Sequence, residues 1–346
     1  MQNDQTDRFR ILAIDGGGIR GVIAARVIAR LEELITAEAG EERRITDCFH
    51  LVAGTSTGGL LALGLIVPDP DNPARPRLRG ADLVSLYLEE GPRIFGDTVH
   101  RLLSLGGWIA PKHSPKELER ALRDRLGDAR LSQALREVLI TSYDVAEPGP
   151  HFFKRRRARE SDDGDPTMVD VGMATAAAPT YFPSRGLDGR ALVDGGVFAA
   201  NPSVAAIVEA LKRREAEPRD LGAGDLLLVS LGTGQHEVGH SQSEVRRWGR
   251  IGWIRPRGED PALIAAFLDG QSDAADHWAD VLLNREAGER RYYRFQATLE
   301  RGTPLDDARP SALRELNAAA DRLLEERDPD LRELAVRLAR GSPLPG

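Results

Sequence analysis

Two glycine-rich turns, Asp15-Gly16-Gly17-Gly18-Ile19-Arg20-Gly21 and Gly54-Thr55-Ser56-Thr57-Gly58, each directly follow a short apolar run. Such turns restrict the fold strongly, because small residues let a chain leave a buried strand and enter a helix with its first backbone N–H groups pointing outward. Arg10-Ile11-Leu12-Ala13-Ile14 reads as the strand before the first turn, and Val22, Ile23, Val27, Ile28, Leu31, Leu34 and Ile35 follow it at helical spacing. Phe49-His50-Leu51-Val52-Ala53 repeats the strand, and the second turn opens a helix over residues 57–66 that Pro68 stops.

Further strands are expected at Val138-Leu139-Ile140-Thr141-Ser142-Tyr143, Ala191-Leu192-Val193 and Leu226-Leu227-Leu228-Val229-Ser230, the last ending in the tight turn Gly232-Thr233-Gly234. Strands that alternate with helices predict an α/β fold, a mostly parallel central sheet with helices on both faces and ligands bound beyond the strands' carboxyl ends. All the candidate catalytic loops are placed on that edge. Residues 68–130, a proline-rich loop followed by amphipathic stretches broken at Gly91-Pro92, Gly106-Gly107 and Pro111, read as a helical cap inserted into a catalytic domain spanning 9–240. Residues 241–346 read as a charged, helical C-terminal extension packed on that domain.

Composition narrows the function. A 41% hydrophobic content supports a sizeable core, and a net charge of −7 argues against binding nucleic acid polymers. The single cysteine, Cys48, leaves no intramolecular disulfide, and Met1-Gln2-Asn3-Asp4-Gln5 lacks the basic and apolar regions of a signal peptide, so a cytoplasmic location is expected. The apolar run from Gly58 to Val67 is about half the length that spans a bilayer, so any membrane contact is expected to be peripheral.

G-x-S-x-G places a serine on a strained strand-to-helix turn, here Ser56, where Gly54, Thr57 and Gly58 leave room for substrate. An oxyanion-binding loop beside it, Gly16 to Gly18, would supply fixed N–H donors for a tetrahedral intermediate. Asp194, in Leu192-Val193-Asp194-Gly195-Gly196, is a candidate base. The structural alternative is a tight turn with an incidental serine. A dinucleotide site is the rival for Gly16 to Gly21, but it needs an acid ending the second strand, whereas Glu38, Glu41 and Glu42 lie in or just after the first helix. A conventional triad would need a histidine after the acid, for which His236 is better placed than His240 or His277. His236-Glu237-Val238-Gly239-His240 also matches the H-E-x-x-H zinc-protease pattern, although Gly234 and Gly239 disfavour the helix which that chemistry requires.

Taken together, the two turns and Asp194 resemble the patatin-like phospholipase family, whose pattern is a glycine-rich oxyanion loop, a G-x-S-x-G nucleophile and a late D-G-[GA] base. The resemblance extends to Ala176-Ala177-Ala178-Pro179-Thr180-Tyr181-Phe182, Asn201-Pro202, Ser230-Leu231-Gly232-Thr233-Gly234 and Tyr292-Tyr293-Arg294-Phe295-Gln296, over residues 9–300. Two departures stand near the base loop: Thr175 where the family often has serine, and Ala200 where it often has asparagine. The resemblance implies a Ser-Asp dyad without histidine, metal or cofactor. In it Ser56 attacks a lipid ester, Asp194 takes its proton, Gly16, Gly17 and Gly18 donate to the oxyanion, and Arg20 and Gly21 order the loop beside Gly195 and Gly196. It further implies a phospholipid membrane surface as partner and leaves open a homodimer. Activation by a cyclic dinucleotide is open too, since some bacterial members are antiviral effectors switched on in that way.

Two charged segments remain. Lys154-Arg155-Arg156-Arg157 with Arg159 reads as a solvated hairpin loop whose charges are offset by Glu160, Asp162, Asp163 and Asp165, with anionic-lipid contact as the functional alternative. Arg246-Arg247-Trp248-Gly249-Arg250-Ile251-Gly252-Trp253 reads as a partly buried helix with packed tryptophans, with a membrane interface or a phosphate-bearing ligand as the alternative.

Overall fold

The computed structural model describes residues 8–96, 110–160, 164–212, 221–236, 240–254, 260–284, 289–300, 302–340 and 344. Its strands are β1 (Phe9–Ile14), β2 (Leu51–Thr55), β3 (Glu137–Asp144), β4 (Gly149–Lys154), β5 (Arg185–Leu187), β6 (Arg190–Asp194), β7 (Leu226–Leu231), β8 (Gln235–His236), β9 (Tyr292–Phe295) and β10 (Thr298–Leu299). The main sheet has the order β5-β6-β3-β2-β1-β7-β9, with β4 also paired to β3, while β8 and β10 form a separate parallel pair. β3, β2, β1, β7 and β9 run parallel, and β4, β5 and β6 join by antiparallel pairing.

Side chains alternate across a strand, so each parallel strand must supply apolar residues to both faces. In β1, Leu12 and Ile14 enter one core with the helices Gly21–Ala39, Thr57–Ile66, Pro115–Leu126, Met168–Thr175, Pro310–Glu326 and Asp328–Ala339. Ile11 and Ala13 enter a second core, covered by helices Ser203–Lys212 and Ala262–Asn284 through Ala206, Ile207, Ala210, Ala279 and Leu283. The helix Gly21–Ala39 ends at Gly40, whose φ of 70° is the left-handed conformation that glycine adopts without a Cβ penalty.

Three expectations change. The segment after residue 240 is not only a helical extension: β9 pairs in parallel with β7 and completes the main sheet, so the sheet closes with chain from beyond the expected domain end. The basic run is not a hairpin loop. Lys154 ends β4 and Arg155–Glu160 is a helix, with Lys154 paired to Glu209 at 2.6 Å and Arg155 to Glu137 at 3.5 Å. Asp162 and Asp163 lie outside the described residues. Finally, the Asp194 loop does not follow a parallel strand. β3 outruns β2, whose Thr55 sits opposite Thr141, and β6 folds back antiparallel on the overhang, pairing Asp194 with Ser142.

Candidate active site

That register places Asp194 one step beyond the end of β2, where the chain turns into the helix Thr57–Ile66 through Ser56. Ser56 has φ 55° and ψ −125°, a conformation that costs a non-glycine residue about 1–3 kcal/mol and survives only where its surroundings hold it. The holding bond is visible: the Ser56 N–H donates to the Thr175 hydroxyl at 2.9 Å, and that hydroxyl donates to the Thr141 carbonyl at 2.7 Å. Either serine or threonine satisfies both bonds, so the family departure at Thr175 leaves this geometry intact. A Cβ at Gly54 would lie 2.3 Å from the Gly58 carbonyl oxygen, so the turn can close this tightly only with glycine.

Burial dominates the electrostatics of Asp194 and pushes its carboxyl up to about 6, against hydrogen bonds from the Ser56 hydroxyl and from the Gly196 N–H at 2.7 Å. A Cβ on Gly195 would fall 2.1 Å from the Thr141 hydroxyl, which is why a glycine must follow the acid. A carboxylate that titrates near neutrality and touches an exposed-elbow serine is a competent proton acceptor at ordinary pH.

The first glycine loop faces this pair. Gly16 is spent elsewhere: its N–H donates to the Ala200 carbonyl at 2.9 Å, so of the three expected donors only Gly17 and Gly18 keep free N–H groups. The same bond uses the backbone of Ala200, so alanine serves there as well as asparagine would. The Thr233 hydroxyl donates to the Gly16 carbonyl at 2.7 Å, and the Ile19 N–H donates to the Leu305 carbonyl at 2.8 Å. Asp15 is buried, which pushes its carboxyl up, and Arg294 from β9 opposes this with an ion pair at 2.6 Å. Gly21 lets its helix approach the Thr57 and Tyr87 hydroxyls, which hydrogen-bond each other.

Arg20 is buried and does not line the cavity that holds Ser56; its guanidinium lies 3.2 Å from His236 Nε2 and interacts with Asp260 and Asp269. His236 therefore serves the loop's support and does not line the cavity that holds Ser56 and Asp194. No histidine lines that cavity among the described residues. His236 ends β8 and His240 lies in irregular chain before Ser241, so the two are not on one helix as zinc ligation by H-E-x-x-H requires; residues 237–239 lie outside the described residues. Glu38, Glu41 and Glu42 stay at the far end of the first helix, away from Gly16 to Gly18, which leaves the dinucleotide reading without its ribose partner.

Ser56, Asp194 and Gly16 to Gly18 share a cavity of about 400 Å³. Its walls are apolar: Leu86, Ile94, Phe95, Leu118 and Leu122 come from the 68–130 segment, Tyr181 and Phe182 from the chain before β5, and Ile264, Phe267 and Leu268 from the helix Ala262–Asn284. Residues 97–109 of the expected cap lie outside the described residues. Ser56, Asp194 and the glycine loop stand among these apolar walls, so the arrangement can bury a hydrocarbon chain and hold a reacting carbonyl.

Sequence reasoning missed Thr175, Thr233, Arg294 and Leu305 as supports. Only Arg294 gave a signal, as a charge inside the apolar strand Tyr292-Tyr293-Arg294-Phe295 that needs a buried partner.

Comparison with known proteins places the chain in a family. The family model described as patatin-like phospholipase matches residues 12–207. Patatin-like protein 2 of Arabidopsis thaliana is 35% identical over 83% of this chain and 75% of its own length. Patatin-08 of Solanum tuberosum is 32% identical over 91% of this chain and 84% of its own. Another potato relative, 31% identical, bears the name Probable inactive patatin-3-Kuras 1, so membership alone does not carry activity and the site residues must. With its glycine loop, serine elbow and late aspartate assembled around one apolar cavity, this chain belongs to the patatin-like phospholipase family of lipid acyl hydrolases.

Proposed function

We propose that the protein hydrolyses carboxylic esters of glycerophospholipids by a Ser56–Asp194 dyad. The observation that carries this reading is the contact of the Ser56 hydroxyl with an Asp194 carboxylate pushed up to about 6, in a cavity lined mostly by apolar side chains. Asp194 takes the Ser56 proton as Oγ attacks the ester carbonyl, and the Gly17 and Gly18 N–H groups stabilise the oxyanion. The proton then passes to the leaving alcohol, and Asp194 activates the water that frees the fatty acid from Ser56. The substrate's acyl chain lies along Leu86, Phe95, Leu118 and Leu122. A membrane surface facing the cytoplasm is the setting in which such a substrate is met; no described helix is long and apolar enough to cross a bilayer.

The test is hydrolysis of a short-chain p-nitrophenyl ester and of phospholipid vesicles by wild type, Ser56→Ala, Asp194→Asn and His236→Ala, each checked for folding. Loss in the first two variants with His236→Ala active is expected, and EDTA should change nothing. Full activity in Asp194→Asn would overturn the dyad. The same assay with a panel of cyclic dinucleotides tests regulation: activity that stays low until one is added supports it, and equal activity with and without them counts against it.

A further inference from the structure

The helix Ala262–Asn284 is apolar on two sides. Ala275, Ala279 and Leu283 are buried against the sheet, as a covering helix requires. Beside them Leu263, Phe267, Gly270, Ala274, Trp278 and Val281 recur every three or four residues, one stripe along the helix without a charge, and its middle borders a groove shared with Phe152 and the helix Ser203–Lys212. Phe267 is 62% exposed and Trp278 57%. The helix does carry charge, but on its flank, where the acids are engaged by the fold: Asp273 with Gln235, Asp276 with Tyr292 and Asp280 with Asn284. The stripe is therefore bare while the acidic flank is occupied.

The stripe is continuous with the cavity mouth. Phe267 lines the cavity and is exposed, and so is Val197 next to the Asp194 loop. The short helix Arg250–Ile254 packs on Ala262–Asn284 and exposes Ile251 to 69%, together with Ile254. Arg246, Arg247 and Arg250 are exposed beside them, a local cationic group on a chain of net charge −7. Trp248 and Trp253 pack edge to face at 5.2 Å, but Trp248 lies in the turn before the helix Arg250–Ile254, so the segment is not the one partly buried helix expected from the sequence.

We propose that this stripe, with Ile251 and Ile254, is the face on which the protein seats on an anionic phospholipid bilayer, bringing the cavity mouth against lipid. Apolar side chains at the level of the acyl boundary with arginines beside them are the composition of an interfacial surface. A second copy seated on the stripe would close the mouth at Phe267, whereas a bilayer there delivers the ester from that side. The inference rests on the acyl-hydrolase reading for its substrate, but binding is measurable without turnover.

The experiment is cosedimentation of Ser56→Ala protein with vesicles of equal parts phosphatidylcholine and phosphatidylglycerol, and with phosphatidylcholine alone. Binding is expected to favour the anionic vesicles, and adding Trp278→Ser or Ile251→Ser should weaken it by about tenfold, since each removes a large inserted apolar side chain. In the Ser56 background of the native enzyme, Trp278→Ser should hydrolyse the soluble p-nitrophenyl ester as wild type does. Unchanged vesicle binding by both variants would overturn the docking face. So would absence of binding together with a dimer that Trp278→Ser converts to monomer, which would assign the stripe to self-association. Absence of soluble-ester hydrolysis in the wild type would instead defeat the functional reading, and leaves vesicle binding to be judged by itself.

Discussion

Asp194 places opposite demands on the fold and on the reaction. Its carboxyl titrates at about 6 in the folded protein against 3.8 as its ordinary value. Below pH 3.8 both folded and unfolded chains hold the proton. Between 3.8 and about 6 the unfolded chain releases a proton that the folded chain keeps, so this group's contribution to stability falls as pH rises. Above that window the full cost is present, roughly 3 kcal/mol. Asp194→Asn should remove that cost, raising the urea midpoint at pH 8 by up to about 3 kcal/mol of unfolding free energy and hardly at all at pH 4, while abolishing ester hydrolysis. Wild-type kcat/KM should rise with pH through a midpoint near 6. At Thr175 the hydroxyl alone matters. Thr175→Ser should keep activity and stability, whereas Thr175→Val leaves the Ser56 N–H and the Thr141 carbonyl unsatisfied and should cost about 1–3 kcal/mol in denaturant unfolding, with a lower kcat. None of this was legible in the sequence. The nucleophile and the acid could be named from their glycine-flanked turns, but Thr175 acts through a hydrogen bond to a residue 119 positions away, and the Gly16 N–H is lost as a donor to the still more distant Ala200 carbonyl.

At the scale of elements, the oxyanion loop is held by pieces of chain that arrive last. Leu305 receives the Ile19 N–H through its carbonyl and gives its own N–H to both oxygens of Asp260 at 3.1 Å, and Tyr181 donates to Asp260 at 2.8 Å. Gly18 packs on that Leu305 carbonyl with φ 56°, and a Cβ there would meet the oxygen at 2.1 Å. Gly18→Ala should therefore lower kcat by at least about 100-fold through displacement of one oxyanion donor, with a circular dichroism spectrum like that of wild type. The strand-turn-helix units at both glycine turns were readable, because apolar runs and small residues are local signals. The strand β4 was not, since His151-Phe152-Phe153 is short and follows Pro150, and neither was the reversal of β6, since a strand's own sequence does not state whether its neighbour runs parallel.

For the whole molecule, the two faces of the sheet are unequal. Most of the described helices gather in the first core, while the other face is covered by Ser203–Lys212 and Ala262–Asn284, and the latter leaves its apolar stripe at the surface beside the cavity mouth. The architecture followed from alternating strand and helix patterns, but the contribution of Tyr292–Phe295 to the main sheet did not, because a lone strand among charged helices reads locally as an insertion. The chemistry converges on one side chain, and labelling of the intact protein by a fluorophosphonate tests it most directly. One adduct on Ser56 is expected, forming faster as pH rises through about 6, retained in His236→Ala, slowed in Asp194→Asn and absent from Ser56→Ala. An adduct on another residue, or a rate that depends on His236 and not on Asp194, would contradict the dyad.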